Sequence, residues 1–561
     1  MKLNYIIFIL ILLIISKMSG ENFKPSDAEH KCGTYASPQK QAKLFKRIMF
    51  PVDTIEGRPV LQKQASTQSG KFLIHYDTNG YHSVEMVDKN ANGLPDYVDS
   101  VAYYFEFVFR FYIDTIGYIT PFEDDNLGGS NAYDIYLMNI GDAGPGESAY
   151  YGITRRDKEK LPKQNFPRYM SHIIIDNDYS PMDSSFDSHD KKVQTFSFFG
   201  IDLLKITAAH EFHHSIQFAY GEQEIPKPLT INEMSSTWYE YRLFPEIKDY
   251  MQYVKALFTF PEEHPFGTGD FREGYRWSIF GQYIYKNFGD SLMLRLWEKV
   301  GEGINAYDAL NSAFEERGTN IKSEFCNFLP WLYYTNVRAK DGEYFEDATL
   351  FPEFSFNQKE NFTPPELLEE GTTKSFEVRA FQCILPTQEN NSLDTLSIFI
   401  ANTDLQSAVR QYESNKPYSL ILTDYENELC QQIAGTKYFY GLHDEKGDIC
   451  DKTFFVMSNP IGYVYPNPFK IGEDKFIHFP VPDYAIISDN ALLTIYSNDM
   501  YNRYSKKKEV VVNRIFRQGE RNDRVLTVAD SELEELSSGV YIFTVDYKGN
   551  RTFGKFVLIR K

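Results

Sequence analysis

The amino-acid sequence predicts an α+β domain that is followed by two small all-β sandwich domains. Residues 71–345 mix strand-like runs with longer segments whose apolar residues recur at helical spacing. Residues 346–460 change to short alternating runs separated by turn residues, which is typical of a β-sandwich. Residues 461–561 have strands interrupted by Gly, Asn and Pro and predict a second sandwich.

The order of elements in the first domain follows from its periodicity. We expect strands at residues 71–76, 132–138 and 171–176. We expect helices at residues 101–116, 203–218, 283–288 and 291–300. Gly289 follows the third of these helices directly and predicts its end.

The first 20 residues predict a secretory signal peptide. Lys2 precedes an unbroken apolar run at residues 5–15, and small polar residues follow at Ser16 and Ser19. The run is shorter than a membrane span and no other stretch approaches that length, so we expect no transmembrane segment after signal cleavage. Residues 21–70 lack a strong repeat and are interpreted as an N-terminal extension or a pro-segment.

The net charge is −20, and no stripe of Lys and Arg is present. This balance argues against nucleic acid or an anionic membrane surface as a partner.

One motif carries the chemistry of the first domain. His210 and His214 are four residues apart, so a helix places both imidazoles on one face with Glu211 beside them. This arrangement is typical of zinc hydrolases, in which the histidines hold the ion and the Glu moves a proton. His213 is turned about 100° round the helix from His214 and is interpreted as a packing or hydrogen-bonding residue.

A catalytic zinc needs a third protein ligand and an open fourth position. Gln217 and Tyr220 stand where a metzincin needs Gly and His, which excludes that pattern. Glu233 opens a second helical segment and is the predicted third ligand. Glu240 is seven residues later on the same face and either orients a ligand histidine or is a solvated carboxylate.

H-E-x-x-H, eighteen intervening residues and a Glu in the context N-E-x-x-S-x-W resemble the gluzincin clan of zinc metallopeptidases, which includes the thermolysin-like enzymes. The resemblance implies a zincin-like catalytic domain. The G-x-M-E-N motif of the clan's aminopeptidases is absent, which favours an endopeptidase. The clan stabilises the oxyanion with a downstream Tyr or His, for which Tyr275 is the catalytic candidate and His264 the alternative. The clan also aligns substrate along an edge strand, for which residues 171–176 are the candidate.

An acidic loop precedes the first predicted helix. Its side-chain oxygens fall at positions 1, 3, 5, 9 and 12 with Gly at position 6, as in the calcium loop of EF-hands. Pro95 rules out the ordinary EF-hand backbone, so we predict a looser Ca²⁺-stabilised loop, with an ion-free Asx-rich turn as the alternative. The predicted calcium ligands are Asp88, Asn90, Asn92, Asp96 and Asp99.

Residues 465–469, 493–496, 538–541 and 554–558 form an ordered series that resembles the C-terminal sorting domain of the bacterial type IX secretion system. The resemblance implies export across the inner and outer membranes, with the secretion machinery as a partner. It places the protein outside the cell or on the cell surface.

The chain has five cysteines, so at least one cannot form a disulfide within the chain if the protein is exported. Cys430 and Cys450 are the favoured disulfide pair. Cys32 invites comparison with the cysteine that blocks zinc in some latent proteases, but an ordinary disulfide or a free thiol is the preferred interpretation.

These observations predict a secreted zinc-dependent endopeptidase with protein or peptide substrates. Zn²⁺ is held by His210, His214 and Glu233, and Glu211 is the general base. The alternative is a non-catalytic cell-surface binding or adhesion protein whose zinc site is structural or degenerate. A third option is a metal hydrolase that acts on a non-peptide amide or on cell-wall peptide bridges.

Overall fold

The computed structural model describes most of the chain from Lys31 onwards. The described residues are 31–48, 54–55, 57–161, 166–187, 189–222, 227–340, 342–359, 366–386, 393–411, 416–422, 436–443, 449–458, 464–481, 485–497, 501–515, 521–548 and 550–560. The predicted signal peptide and Cys430 lie outside them, as does the side chain of Cys450. The chain divides into two compact units: Met1–Lys160, Tyr169–Ala219 and Ser236–Ala256 form the first, and Leu161–Arg168, Tyr220–Ser235 and Leu257–Lys561 form the second.

A five-stranded mixed sheet lies at the centre of the first unit, in the order β3-β4-β5-β7-β6. β3 and β4 are antiparallel, whereas β4, β5 and β7 run parallel. The strands of this unit are β1 (Thr54–Ile55), β2 (Arg58–Pro59), β3 (Lys63–Ser66), β4 (Phe72–Tyr76), β5 (Tyr133–Leu137), β6 (Gly152–Leu161), β7 (Arg168–Ile175), β8 (Ser184–Phe186) and β9 (Lys192–Gln194).

The three strands predicted in this unit are confirmed as β4, β5 and β7, but the substrate-aligning role expected of residues 171–176 is wrong. These residues belong to β7, which lies inside the sheet between β5 and β6. Its apolar run Ile173–Ile175 is fully buried, as in a strand covered on both sides. The strand at that edge of the sheet is β6.

Two helices pack on this sheet through aromatic side chains, as shown by contacts from α2 and α3. The helices between residues 38 and 259 are α1 (Pro38–Ile48), α2 (Asp96–Phe109), α3 (Gly200–Tyr220), α4 (Leu229–Leu243) and α5 (Met251–Thr259), and α2 is continued by a π-helical turn, Arg110–Ile116. Phe72 of β4 contacts both Phe105 of α2 and Phe212 of α3, at ring-centroid distances of 5.7 and 5.5 Å. Because Phe212 points towards the sheet, residues two positions before and after it face the other side of α3.

The helical part of the second unit contains α6 (Phe271–Phe288), α7 (Asp290–Gly301), α8 (Ala306–Glu315) and α9 (Ile321–Tyr333). Gly289 ends α6 as predicted, with a φ of +73° that a side chain would strain.

The rest of the second unit is rich in strands. Its elements are β10 (Asn357–Lys359), β11 (Glu366–Thr373), β12 (Val378–Pro386), β13 (Leu393–Asn402), α10 (Leu405–Arg410), β14 (Lys416–Leu422), β15 (Thr436–His443), β16 (Ile449–Ser458), β17 (Phe469–Ile471), β18 (Phe476–Pro480), β19 (Asn490–Ser497), β20 (Asn502–Ile515), β21 (Arg521–Ala529), β22 (Gly539–Tyr547) and β23 (Asn550–Arg560). β10, β12, β13, β16 and β15 form one sheet, β11 and β14 a second, and β17 to β23 a seven-stranded sheet with its own apolar core.

The described chain is therefore of mixed α and β structure. Whether the first part is zincin-like and the two later parts are sandwiches stays a prediction. Within the described ranges, no helix combines the length and the apolar character needed to cross a membrane.

Candidate metal centre

The motif helix α3 is buried from residue 206 to its end. His210, Glu211, His213 and His214 are each at most 2% exposed. The helix ends at Gly221, whose φ of +121° suits a residue without a side chain. Burying a polar group without a partner costs free energy, so we expect each of these four side chains to form hydrogen bonds or to bind a metal ion.

The two motif histidines direct their Nε2 atoms at each other, 3.0 Å apart. Nδ1 of His210 lies 2.6 Å from Glu240 Oε1, which as a carboxylate only accepts, so the Nδ1 atom carries the proton. Nδ1 of His214 lies 2.8 Å from the amide oxygen of Gln217 and carries its proton for the same reason. Both Nε2 atoms therefore carry a lone pair, and the two lone pairs are directed at the space between the rings.

This spacing agrees with a shared cation. A tetrahedral zinc ion with bonds of ~2.0–2.1 Å places two nitrogen ligands about 3.3 Å apart. The orienting bonds to Glu240 and Gln217 are the kind that fix the tautomer and ring direction of metal-binding histidines. Glu240, which is 3% exposed, is thus a positioning residue and not the solvated carboxylate of the alternative interpretation.

Glu233 completes the predicted ligand set. It lies on α4 one turn before Ser236, which contacts His213 and His214 at 2.9 and 3.3 Å. Ligand atoms of Glu233, His210, His214 and Cys32 all lie within 4.8 Å of one another. Two imidazoles, a carboxylate and a thiolate are the donors that zinc takes in proteins, so these residues fit the ion that the sequence predicts.

Cys32 is the member of this group that the predicted ligand set does not include. Its side chain is fully buried and free of any disulfide, and its Sγ accepts a hydrogen bond from the backbone N–H of Thr34 at 3.4 Å. Cys32 lies far from the motif in the chain, and nothing in its local sequence shows that it reaches α3. Of the preferred interpretations, the disulfide is not formed by Cys32 in the structure. The position of Cys32 among the possible metal ligands agrees instead with the comparison to a zinc-blocking cysteine, which stays a prediction.

Glu211, the predicted general base, sits against the start of β6. Thr154 Oγ1 lies 2.7 Å from Glu211 Oε2, and Thr34 Oγ1 donates to the same oxygen at 3.2 Å. Gly152 leaves room for this side chain, because a Cβ at that position would meet Glu211 Cγ at 2.6 Å. The carboxylate is therefore held by hydroxyl groups beside the histidine pair.

The oxyanion candidates lie on and before α6. Tyr275 is fully buried on this helix, and Gly274 next to it approaches α4 so closely that a Cβ there would meet Cβ of Glu233 at 2.4 Å. His264 contacts Glu273 at 3.2 Å through Nδ1. The catalytic role of Tyr275 stays a prediction.

The other motif histidine has a structural role, as predicted. Nδ1 of His213 lies 3.0 Å from the amide nitrogen of Gln217, which donates to it, and the ring packs on Tyr239 at a centroid distance of 4.9 Å. Burial lowers the pKa of His213 well below its usual value, with a smaller effect from the neighbouring His214. The ring is therefore neutral.

The predicted calcium loop at residues 88–99 closes on itself through hydrogen bonds. Asp88 accepts from the backbone N–H groups of Asn92 and Gly93, at 3.2 and 2.9 Å. The side-chain amides of Asn90 and Asn92 donate to Asp99 at 2.9 and 2.8 Å. Asp96 accepts from the backbone of Lys89 at 2.9 Å. These bonds describe an Asx-rich turn, and calcium binding here stays a prediction.

A second acidic cluster lies further along the first unit, where oxygens of Asp176, Asp178 and Asp183 are within 4.8 Å of one another. Burial raises the pKa of Asp183 to about 8, and the charges of Asp176, Asp178 and Asp142 add to this effect.

Comparison of the chain with protein-family models and with curated proteins finds no match.

Proposed function

We propose that this chain is a zinc-dependent endopeptidase that hydrolyses protein or peptide substrates. The observation that carries the proposal is the pair of Nε2 lone pairs on His210 and His214, 3.0 Å apart, with the buried carboxylate of Glu211 on the same helix. Two oriented imidazoles beside an acid are the arrangement typical of H-E-x-x-H zinc hydrolases, and Glu233 would supply the third ligand that a catalytic zinc needs.

The side chains divide the chemistry between them. His210, His214 and Glu233 would hold the ion through two nitrogens and a carboxylate oxygen. A bound zinc ion supplies a Lewis acid for the scissile carbonyl and lowers the pKa of a water molecule. Glu211 would accept a proton from water and return it to the leaving amine. Glu240 keeps the proton on Nδ1 of His210, which leaves Nε2 free to bind.

Replacing Glu211 by Gln tests the assignment of the base. Hydrolysis of casein and of a mixed peptide library is expected to fall by about 10²–10⁴-fold, the usual contribution of a general base, while zinc content is retained. Removal of the metal by a chelator is expected to abolish activity. The comparison is made in the native sequence and again with Cys32 replaced by Ser, because Cys32 lies among the ligands.

The exposed Glu246→Gln variant is the matched control, since it removes the same charge at a surface position of the same unit. Unchanged peptide hydrolysis in Glu211→Gln would show that Glu211 is not the base. Sequencing of the new termini would define the cleavage preference.

One observation favours the alternative of a non-catalytic binding protein with a structural zinc site. With Cys32 included, the group offers four protein ligands, and structural zinc sites are closed in this way whereas catalytic sites keep one position open. The two functions make opposite predictions for Cys32. Its loss weakens a structural site, but it opens the fourth position of a catalytic one.

We also propose that residues 461–561 direct export by the type IX route and that the mature protein is secreted or held at the cell surface. Four strands of the seven-stranded sheet, β17, β19, β22 and β23, overlap the residue series on which the resemblance rests. A chain truncated at Gly462 is expected to remain inside the cell envelope, whereas normal export of this chain would refute the sorting role.

A further inference from the structure

The segment Lys31–Tyr35 lies against the edge of the central sheet and joins it through a single bridge at Cys32. The backbone N–H of Gly33 donates to Gly152 O at 3.0 Å, and the N–H of Tyr151 donates to Lys31 O at 2.9 Å. Cys32 and Gly152 form a parallel bridge at the start of β6, which is the edge strand. Addition of a strand to a free sheet edge is a common way in which extended peptides are bound.

The side chains of this segment cover the groups that the proposed reaction needs. Cys32 Sγ shares the ligand cluster with the two motif histidines. Thr34 Oγ1 donates to Glu211 Oε2 at 3.2 Å, and its position is fixed by the N–H of Thr154, which donates to Thr34 Oγ1 at 2.8 Å. The ring of Tyr35 packs edge-on against His214, with 5.3 Å between centroids. Three residues of one segment thus contact the metal-ligand cluster, the predicted base and a motif histidine: Cys32, Thr34 and Tyr35, respectively.

Lys31 anchors the segment in a buried acidic pocket. Its Nζ pairs with Glu240 Oε2 at 2.9 Å and with Asp249, and it lies 5.2 and 5.0 Å from the ring centroids of Tyr151 and Tyr253. The two carboxylates therefore hold the lysine side chain from two elements of the fold, α4 and the segment that follows it. A pocket with two carboxylates and two aromatic faces suits a cation.

This pocket is next to the metal centre. Glu240 contacts Lys31 through Oε2 and His210 through Oε1, so one carboxylate joins the lysine pocket to a ligand histidine. Cys32, at the metal, directly follows Lys31 in the chain. A peptide bound in the same way as residues 31 and 32 would place one side chain in the acidic pocket and the next residue beside the metal position. The side chain in the pocket would be basic.

We propose that residues 31–35 are a tethered blocking segment, in which the Cys32 thiolate takes the fourth metal position and Lys31 fills the pocket that receives a Lys or Arg of the substrate beside the scissile bond. This inference rests on the proposed peptidase function. When the segment leaves, the thiolate is exchanged for one water molecule and takes up one proton, with no change of oxidation state. The bridge between Cys32 and Gly152 lies on β6, the edge strand of the sheet. An extended substrate would add to this same edge.

Cobalt substitution of the full chain tests the thiolate independently of activity. The Co²⁺ form of the native sequence is expected to show the near-ultraviolet charge-transfer absorption of a thiolate ligand, and Cys32→Ser is expected to lose it while still binding cobalt. Cys326→Ser is the matched control, because Cys326 is also buried and free but lies on α9. An absorption that is absent in the native chain, or that persists in Cys32→Ser, would overturn the proposal.

Activity of the zinc-loaded full chain tests the blocking role. Tethering presents a segment at an effective concentration on the order of millimolar, so a segment with a dissociation constant of about 10 µM leaves roughly one site in a hundred open. Hydrolysis of the peptide library is therefore expected to rise about 100-fold in Cys32→Ser and not in Cys326→Ser. Loss of metal with no gain in activity would identify a structural site and overturn the proposal.

The cleavage products distinguish the two proposals. Thiolate absorption together with no hydrolysis by any variant would refute the peptidase function and leave Cys32 as a structural ligand. With hydrolysis, the Cys32→Ser products are expected to be enriched in Lys or Arg next to the cleaved bond, and Asp249→Asn in that background is expected to reduce the enrichment. If the products of Cys32→Ser show no enrichment of Lys or Arg next to the cleaved bond, the pocket assignment is overturned. This outcome does not depend on whether Asp249→Asn folds.

Discussion

Replacing Gly152 by Ala is expected to displace the predicted general base. A Cβ at Gly152 would meet Glu211 Cγ at 2.6 Å, Thr207 Cγ2 at 2.7 Å and Glu211 Oε1 at 2.9 Å. Non-bonded carbon atoms prefer separations of ~3.5–4.0 Å, so the Glu211 side chain or the strand has to move by roughly 1 Å. Glu211 is the mobile partner, since its side chain is flexible whereas Gly152 belongs to the sheet.

The size of the effect follows from this displacement. A misplacement of about 1 Å at a reacting group can lower the rate by on the order of 100-fold. At 1.36 kcal/mol per tenfold change, this corresponds to about 2.7 kcal/mol of lost transition-state stabilisation. The added methyl group also lowers the free energy of unfolding by about 1–3 kcal/mol, the usual range for overpacking.

Steady-state kinetics on a peptide substrate, in a chain that carries Cys32→Ser, measure this effect. We expect kcat to fall while KM and zinc content stay close to those of the parent. Gly144→Ala is the matched control, because its nearest neighbour, Glu147 Oε2, would be 3.4 Å from the new Cβ. A Gly152→Ala chain that is folded and hydrolyses peptides as fast as its parent would refute the reasoning that Glu211 acts from this position.

Three further changes test the site and the acidic loops. Glu240→Gln weakens the acceptor that orients His210, so zinc affinity measured by competition with a chelator is expected to fall about 10–100-fold, and equal affinity would contradict the positioning role. Burial raises the pKa of Asp183 to about 8, so its contribution to stability is complete below a pH of about 4 and is lost as the pH rises through 8. Asp183→Asn is therefore expected to melt at a higher temperature than the native chain at pH 9, and identical pH dependence of the two melting temperatures would show that the carboxyl is not perturbed. Calcium is expected to raise the melting temperature of the native chain and not that of Asp88→Ala, and indifference of both to calcium would exclude the predicted calcium loop.

Much of the local structure could be predicted from the sequence because its causes are local. The spacing of His210 and His214 places them on one face of any helix that contains them, and α3 and α4 form where the apolar repeat predicts them. The turn of His213 away from the metal position follows from the same geometry. The role of β7 was misjudged, because periodicity identifies a strand but does not tell which strands pair on either side of it.

The spacing of His210 and His214 and the acid downstream identify, within the sequence, the residues that could bind a metal. Which distant residues meet beside them follows from the tertiary structure alone. Thr34 contacts Glu211 across 177 positions of the chain, and Lys31 contacts Asp249 across 218. Both contacts form because the segment before α1 lies against the sheet edge. The order of residues within that segment does not predict them. The approach of Cys32 to the motif histidines and the acidic pocket around Lys31 are consequently properties of the folded chain.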